Sequence, residues 1–334
     1  MDSILLLPLL LSFLTGLFLM PFWIRKAKEI GLVWEDMNKP EHPRNVAGSG
    51  GVSMFLSFVI GVLTYIAIKT FYFNSKDNLI EIFALLSVIF VIAFIGIIDD
   101  ILGWRRGGLS IRSRLALLFF ASIPLIVINA GESVVMGINL GLLYPILLIP
   151  IGIVGASATF NFLAGYNGLE SSQGIIILSA LSGITYLTGE KWLSVITLCM
   201  VVALIPFYVF NKHPAKVFPG NILTYSVGAL IAGIAILGKM EKIAVFFFIP
   251  YIIEVVLKVR GKLKKQSFAK VNSDGSLDLP YEKIYGLEHL AIYILKKIKP
   301  HKKVYENDVV YLINFFQILV IIAGILLFWG EIIA

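Results

Sequence analysis

Cysteine and histidine are almost missing from this chain. The one cysteine, Cys199, permits no internal disulfide or Cys-rich zinc site, and the four scattered histidines (His42, His213, His289, His301) give no HExxH spacing. Redox and zinc chemistry drop out. Charge is scarce too: 15% of the 334 residues are Asp, Glu, Lys or Arg, against about 25% in soluble domains. With 58% hydrophobic residues and a mean hydropathy of +0.89, a water-soluble globule is excluded. A disordered chain would need the opposite composition. Polar–apolar alternation is also lacking, which removes an outer-membrane barrel.

What is present is a series of long apolar runs, so the predicted fold is an all-α polytopic membrane protein. A membrane helix needs roughly 20 mostly apolar residues. Ten runs qualify: 4–24, 48–73, 79–98, 114–131, 141–160, 171–188, 192–210, 222–238, 243–259 and 309–330. The first has no basic segment before it and no A-x-A site after it, so it reads as a retained helix and not as a secretory signal. Ten spans make one membrane domain of 1–334, with 260–308 as an insertion before the last span. In this insertion "NSDGS" at 272–276 predicts a hairpin, and 285–299 predicts an amphipathic helix.

Ten spans also divide the loops into two sets. All but five of the 28 Lys and Arg fall in one set; the exceptions are Lys69, Lys76, Lys191, Lys239 and Lys242. Basic loops stay inside, so this set, with 260–308, is predicted to be cytoplasmic. The same loops hold most of the uncommon polar residues, and function is expected there. Much of the +7 net charge is the ordinary topology signal, though it also suits anionic solutes and lipid headgroups.

Three segments carry candidate chemistry. The third run ends in "FIGIIDD", which places Asp99 and Asp100 at a helix C-terminus, where partial negative charge disfavours both. A divalent cation would compensate, and so would Arg105, Arg106, Arg112 or Arg114. The second segment, "NFLAGYNGLESSQG" from Asn161 to Gly174, offers amide oxygens to a hard cation, or simply builds a tight turn with Ser171 or Ser172 as helix cap. The third, "HPAKVFPGN", ends at Asn221, which is an N-cap candidate. Together with "GSGG" at Gly48–Gly51, three helix N-termini on one face could bind phosphate. Glu254, inside the ninth run, is either a functional group within a span or, the preferred reading, an i,i+4 partner of Lys258.

These motifs resemble the polyprenyl-phosphate N-acetylhexosamine-1-phosphate transferases, and within them the eukaryotic and archaeal branch that acts on UDP-GlcNAc and dolichyl phosphate. The resemblance rests on "DMNKP" (Asp36–Pro40), "GIIDD" (Gly96–Asp100), "SIRSR" (Ser110–Arg114), "NFLAGYNGLE" (Asn161–Glu170), "VFPGN" (Val217–Asn221) and "DGSLDLPYEKI" (Asp274–Ile284). It implies an enzyme that transfers GlcNAc-1-phosphate from UDP-GlcNAc to dolichyl phosphate, with Mg2+ as cofactor and UMP as second product. By the same resemblance Asp99 and Asp100 are catalytic, and Asn161 and Asn221 hold the metal. Asn38, Arg112, Gly165, Asn167, Lys264 and Lys265 contact substrate.

One residue departs from the pattern. The family commonly carries a metal-binding Asp where this chain has Asn221, so a formal charge is lost. No His-rich cluster marks 260–308, which favours the dolichyl branch. The alternatives are a related transferase using another UDP-HexNAc or undecaprenyl phosphate, and a transporter or flippase. The latter needs ionisable groups along a mid-membrane path, and the acidic groups inside predicted spans are Glu81 and Glu254, each near an end. Membrane lipids are expected partners and nucleic acid is not; a homodimer is compatible. Short outer loops and the absence of a eukaryotic retention signal point to an archaeal cell membrane over the endoplasmic reticulum.

Overall fold

The computed structural model describes residues 3–135 and 138–333. After α1 (Leu6–Glu29) comes a small hairpin, β1 (Val33–Glu35) and β2 (Arg44–Ala47), then α2 (Gly51–Ala67), α3 (Leu79–Arg106), α4 (Ile111–Ala121) and α5 (Ile123–Val127). A second hairpin, β3 (Val134–Val135) and β4 (Ile138–Asn139), leads to α6 (Ile149–Phe160), α7 (Leu169–Leu187), α8 (Lys191–Asn211) and α9 (Gly220–Leu237). The chain continues through α10 (Glu241–Phe247), α11 (Ile249–Arg260), the hairpin β5 (Lys270–Val271) and β6 (Leu277–Asp278), α12 (Leu287–Ile298), α13 (Glu306–Leu327) and α14 (Trp329–Ile333).

Among the described residues six helices are long and apolar enough to cross a membrane: 3–29, 51–72, 79–105, 191–211, 220–237 and 306–327. The protein is therefore polytopic and helical. The other four predicted runs are helical but shorter, interrupted or more polar. Run 114–131 breaks into α4 and α5 just before Pro124, and run 243–259 breaks at Phe248 just before Pro250. Proline lacks the N–H that would continue the preceding helix, so both breaks follow from sequence. Helix α7 opens on Glu170, Ser171, Ser172 and Gln173, which lowers its apolarity.

The third helix also differs from expectation. It runs through the aspartates to Arg106, because nothing stops it before Gly107 and Gly108, both at positive φ. The predicted insertion elements are present: β5 and β6 pair across a turn at Gly275, and the amphipathic helix is α12.

Helix α9 is the centre of the molecule, with 89% of its apolar window buried, against 22% for α1 and 39% for α13. Side chains such as Phe18, Phe22, Phe94 and Phe315 face outward, as lipid-exposed residues do. Between helices in lipid, close packing replaces the hydrophobic effect as the cohesive force, and small residues permit it. At Gly96 of α3 a Cβ would stand 2.5 Å from the Ile222 Cα of α9. The lone Cys199 is fully buried where α8 meets α1 and α2, with Ser12 Oγ donating to its carbonyl.

Gly96→Ala should therefore push α3 off α9 and cost about 1–3 kcal/mol. Gly155→Ala, where a Cβ meets nothing within 4 Å, should leave the melting temperature unchanged or raise it. Thermal unfolding in detergent, read side by side for the two variants, checks this.

Candidate active site

The Gly96 contact brings the last turns of α3 against the first turn of α9, and this places both aspartates. Asp99 is 1% exposed, and its oxygens are fully engaged. Oδ1 accepts from Leu109 N–H at 2.7 Å and from an Arg114 terminal nitrogen at 3.2 Å. Oδ2 lies 2.8 Å from Arg114 Nε and accepts from Asn221 Nδ2 at 2.9 Å and Tyr225 OH at 3.2 Å. A carboxylate offers about four acceptor positions, so Asp99 has none left for a ligand.

Asp100 is arranged differently. Its Oδ1 accepts the Asn221 backbone N–H at 2.7 Å, so the carboxylate caps α9, a favourable place for negative charge. Its Oδ2 is buried beside the Ser49 hydroxyl, and neither oxygen makes a well-aligned hydrogen bond. Gly220 makes this approach feasible: at φ +71° it lies in the left-handed region, and a Cβ on it would stand 2.1 Å from Asp100 Oδ2. Asn161, just past the end of α6, accepts from Thr224 Oγ1 at 2.9 Å, one turn along α9 from Asn221. Asp99, Asp100, Asn161, Asn221 and Ser49 thus surround the start of α9.

Several expectations change here. The aspartates lie more than a turn before the end of α3, so the C-terminal charge penalty, which fades within the last turn, does not fall on them. Arg114 is the cation that compensates Asp99. Arg105 instead stands over Trp104, Arg112 is exposed, and the Arg106 side chain lies outside the described residues. Asn221 is not the cap of α9 but is itself capped. Neither Ser171 nor Ser172 caps α7, whose N-cap is Gly168. The helix N-termini are also less free than the phosphate reading requires. Gly50 and Gly51 N–H groups go to the Phe218 and Pro219 carbonyls, and Asn221 N–H goes to Asp100.

A second network joins three loops. Glu306, the first residue of α13, is 3% exposed and accepts Asn167 N–H at 2.8 Å. Its other oxygen meets Lys39 Nζ, and His213 Nδ1 at 3.1 Å. Asn167 Nδ2 donates to Asp36 at 3.0 Å. Asn38 donates to the Gly165 carbonyl at 3.0 Å and accepts from Ala269 N–H at 3.2 Å. Ser171 and Asn211 link this network toward the acid centre, since Asn211 donates to the carbonyl of Val217, on the segment leading to Gly220.

Residues 82–239 match glycosyl transferase family 4. A protein of Saccharolobus solfataricus, named provisionally as a UDP-N-acetylglucosamine–dolichyl-phosphate N-acetylglucosaminephosphotransferase, is 38% identical over 86% of this chain and 87% of its own length. The chain belongs to this family. A Sulfolobus acidocaldarius protein of the same provisional name is 32% identical over 87% of this chain and 88% of its own. A more distant member, phospho-N-acetylmuramoyl-pentapeptide-transferase of Streptococcus pyogenes, is 27% identical over 73% of this chain and 76% of its own.

Within this family member, then, Asp99, Asp100, Asn161 and Asn221 gather at one centre, and Asn38, Gly165 and Asn167 at a second. Lys264 and Lys265 join neither through a hydrogen bond or ion pair among the described residues. Both are exposed, and Lys265 stands over the Tyr281 and Tyr285 rings. Sequence reading held Ser49 only as part of the "GSGG" helix start and missed Tyr225, Thr224 and Glu306. Only Glu306 left a signal, as an acid at the start of an apolar run.

Arg114→Met should leave Asp99 buried without its counter-charge and cost about 3–5 kcal/mol. Arg112→Met, at an exposed position, should stay within about 0.5 kcal/mol of the parent. Equal melting of the two variants would refute the assignment of Arg114.

Proposed function

We propose that the protein transfers GlcNAc-1-phosphate from UDP-GlcNAc to dolichyl, or another polyprenyl, phosphate, giving GlcNAc-diphosphate-lipid and UMP, the first step of lipid-linked oligosaccharide synthesis. Family membership and the names of the two archaeal relatives support the reaction. In the site itself the observation that carries it is the buried Asp100 Oδ2, which makes no well-aligned hydrogen bond and lies beside Ser49 Oγ at the start of α9. An uncompensated buried carboxylate oxygen is costly, and a cation there removes the cost.

The donor set fits magnesium. All its atoms are hard oxygens, and the set is completed by amides, since among the described residues no three His, Cys, Asp or Glu are arranged to hold a metal by themselves. Mg2+ typically takes one or two carboxylates, keeps waters and shares substrate phosphates. Asp100 Oδ2 and the amide oxygens of Asn161 and Asn221 would hold it. When bound, such an ion offsets charge on the donor diphosphate.

The chain's own residues do the rest by positioning. Asp99 neutralises and fixes Arg114, orients the Asn221 amide through Nδ2, and so turns its oxygen toward the donor. The acceptor phosphate has a second pKa near 6, so it attacks already largely deprotonated and needs no general base. Its oxygen bonds to the phosphorus that carries the sugar, the bridging P–O bond breaks, and the electron pair leaves on UMP. Arg112, solvent-facing at the start of α4 and without an ion-pair partner among the described residues, would meet the charge on UMP. The bias of Lys and Arg to one set of loops supports a site at the cytoplasmic leaflet. There a soluble nucleotide sugar and a lipid phosphate can meet. The isoprenoid tail would lie along α6, where Gly152 and Gly155 have few or no close neighbours and which packs against α11.

With purified protein, UDP-GlcNAc and dolichyl phosphate, UMP release should be abolished by Asp100→Ala and by chelation, and restored by Mg2+. Turnover at the parent rate in either arm overturns the proposal. Asn221→Asp supplies a second test without turnover, because it would set two carboxylates about 2.9 Å apart. This variant should melt below the parent in EDTA and gain more than the parent when Mg2+ is added.

A further inference from the structure

A second group of ionisable side chains is buried between α11 and α12. Glu254 and Lys258, one turn apart on α11, are 0% and 8% exposed and pair at 3.4 Å. Glu288 and His289, in the first turn of α12, are both 0% exposed. Glu254 also accepts the N–H of Leu287, the first residue of α12. At Gly286, a Cβ would stand 2.7 Å from Glu288 Oε2 and 3.4 and 3.5 Å from the Glu254 oxygens, so the two carboxyls converge on one point. Burial, and then the Glu254 charge, pushes the Glu288 carboxyl well above its ordinary value. Burial, and then Lys258, pushes His289 down to about 4. Both shifts favour the uncharged form.

Such a group is expensive to bury, and fold stability alone would be better served by apolar side chains. What it touches is the segment Ser267–Ala269. Lys258 Nζ donates to Ser267 Oγ, and Glu288 and His289 face Ser267 and Phe268. From the other side Tyr166 OH donates to the Ser267 carbonyl at 3.4 Å, and Ala269 N–H donates to Asn38. The Phe268 ring lies against Gly165, where a Cβ would come within 2.9 Å of it. Through Asn38 and Gly165 this segment borders the buried polar junction that joins Asp36, Lys39, Asn167 and Glu306, whose chemistry matches a polar soluble substrate and not an isoprenoid.

We propose that Lys258, held by Glu254, is a positioning residue for the nucleotide sugar: it seats Ser267–Ala269 on Asn38 and Gly165 and thereby shapes the donor side of the site. This rests on the transferase reading above. It is tested on the purified full-length chain with Lys258→Met and Ser267→Ala, varying UDP-GlcNAc at saturating dolichyl phosphate and then the reverse. The KM for UDP-GlcNAc should rise roughly tenfold in each variant, the worth of one charged hydrogen bond, with kcat and the lipid KM within about twofold. Lys258→Arg, which keeps the donor, should recover most of the loss. An unchanged donor KM in Ser267→Ala, or a fall in kcat that moves both KM values together, overturns the inference. If Lys258→Met does not fold, Ser267→Ala, which removes only a hydroxyl, decides alone. A parent protein that releases no UMP from UDP-GlcNAc defeats the transferase reading instead, so the two failures are distinguishable.

Discussion

The contact of α3 with α9 at Gly96 is the constraint on which the site depends. Because the Ile222 backbone sits where a side chain of α3 would otherwise be, the Asp99 and Asp100 carboxyls reach the first turn of α9 directly. Asp100 then terminates α9, Asp99 collects Arg114 from α4, and Tyr225 and Thr224 of α9 tie in Asp99 and Asn161. Four helices thus meet through one close approach.

That meeting separates the duties of two neighbouring carboxylates. Asp99 is a structural acid, saturated by donors on every side. Asp100 keeps an oxygen that makes no well-aligned hydrogen bond. The amide at 221 fits this division: its nitrogen donates to Asp99 at 2.9 Å, a place where a carboxylate would repel its neighbour. Its surroundings therefore suit an amide at this position, which the resemblance marks as a departure.

Much of the architecture was legible because it is written in local signals. Apolar runs located the helices, "NSDGS" the β5–β6 turn, and the apolar stripe before Lys296 the helix α12. The acid–amide grouping was legible from motif order. What sequence could not supply was which carboxylate oxygen is free, that Arg114 and not Arg112 neutralises Asp99, and that Asp100 caps a helix 121 residues away. Those facts depend on long-range contact, and periodicity carries none of it. The helix boundary past Asp100 was misread for a simpler reason: Ile101, Leu102 and Trp104 continue a helical pattern that the acidic pair interrupted only in hydropathy. Glu306 was overlooked because a lone acid opening an apolar run looks like an ordinary helix start.

The burial of Cys199 has a practical corollary. Its thiol lies among α1, α2 and α8, with Sγ 3.1 Å from where a Gly61 side chain would begin. Alkylating reagents reach it only after those three helices part. The native chain therefore already provides a silent background for cysteine scanning of its loops, and a built-in reporter of when the bundle comes undone.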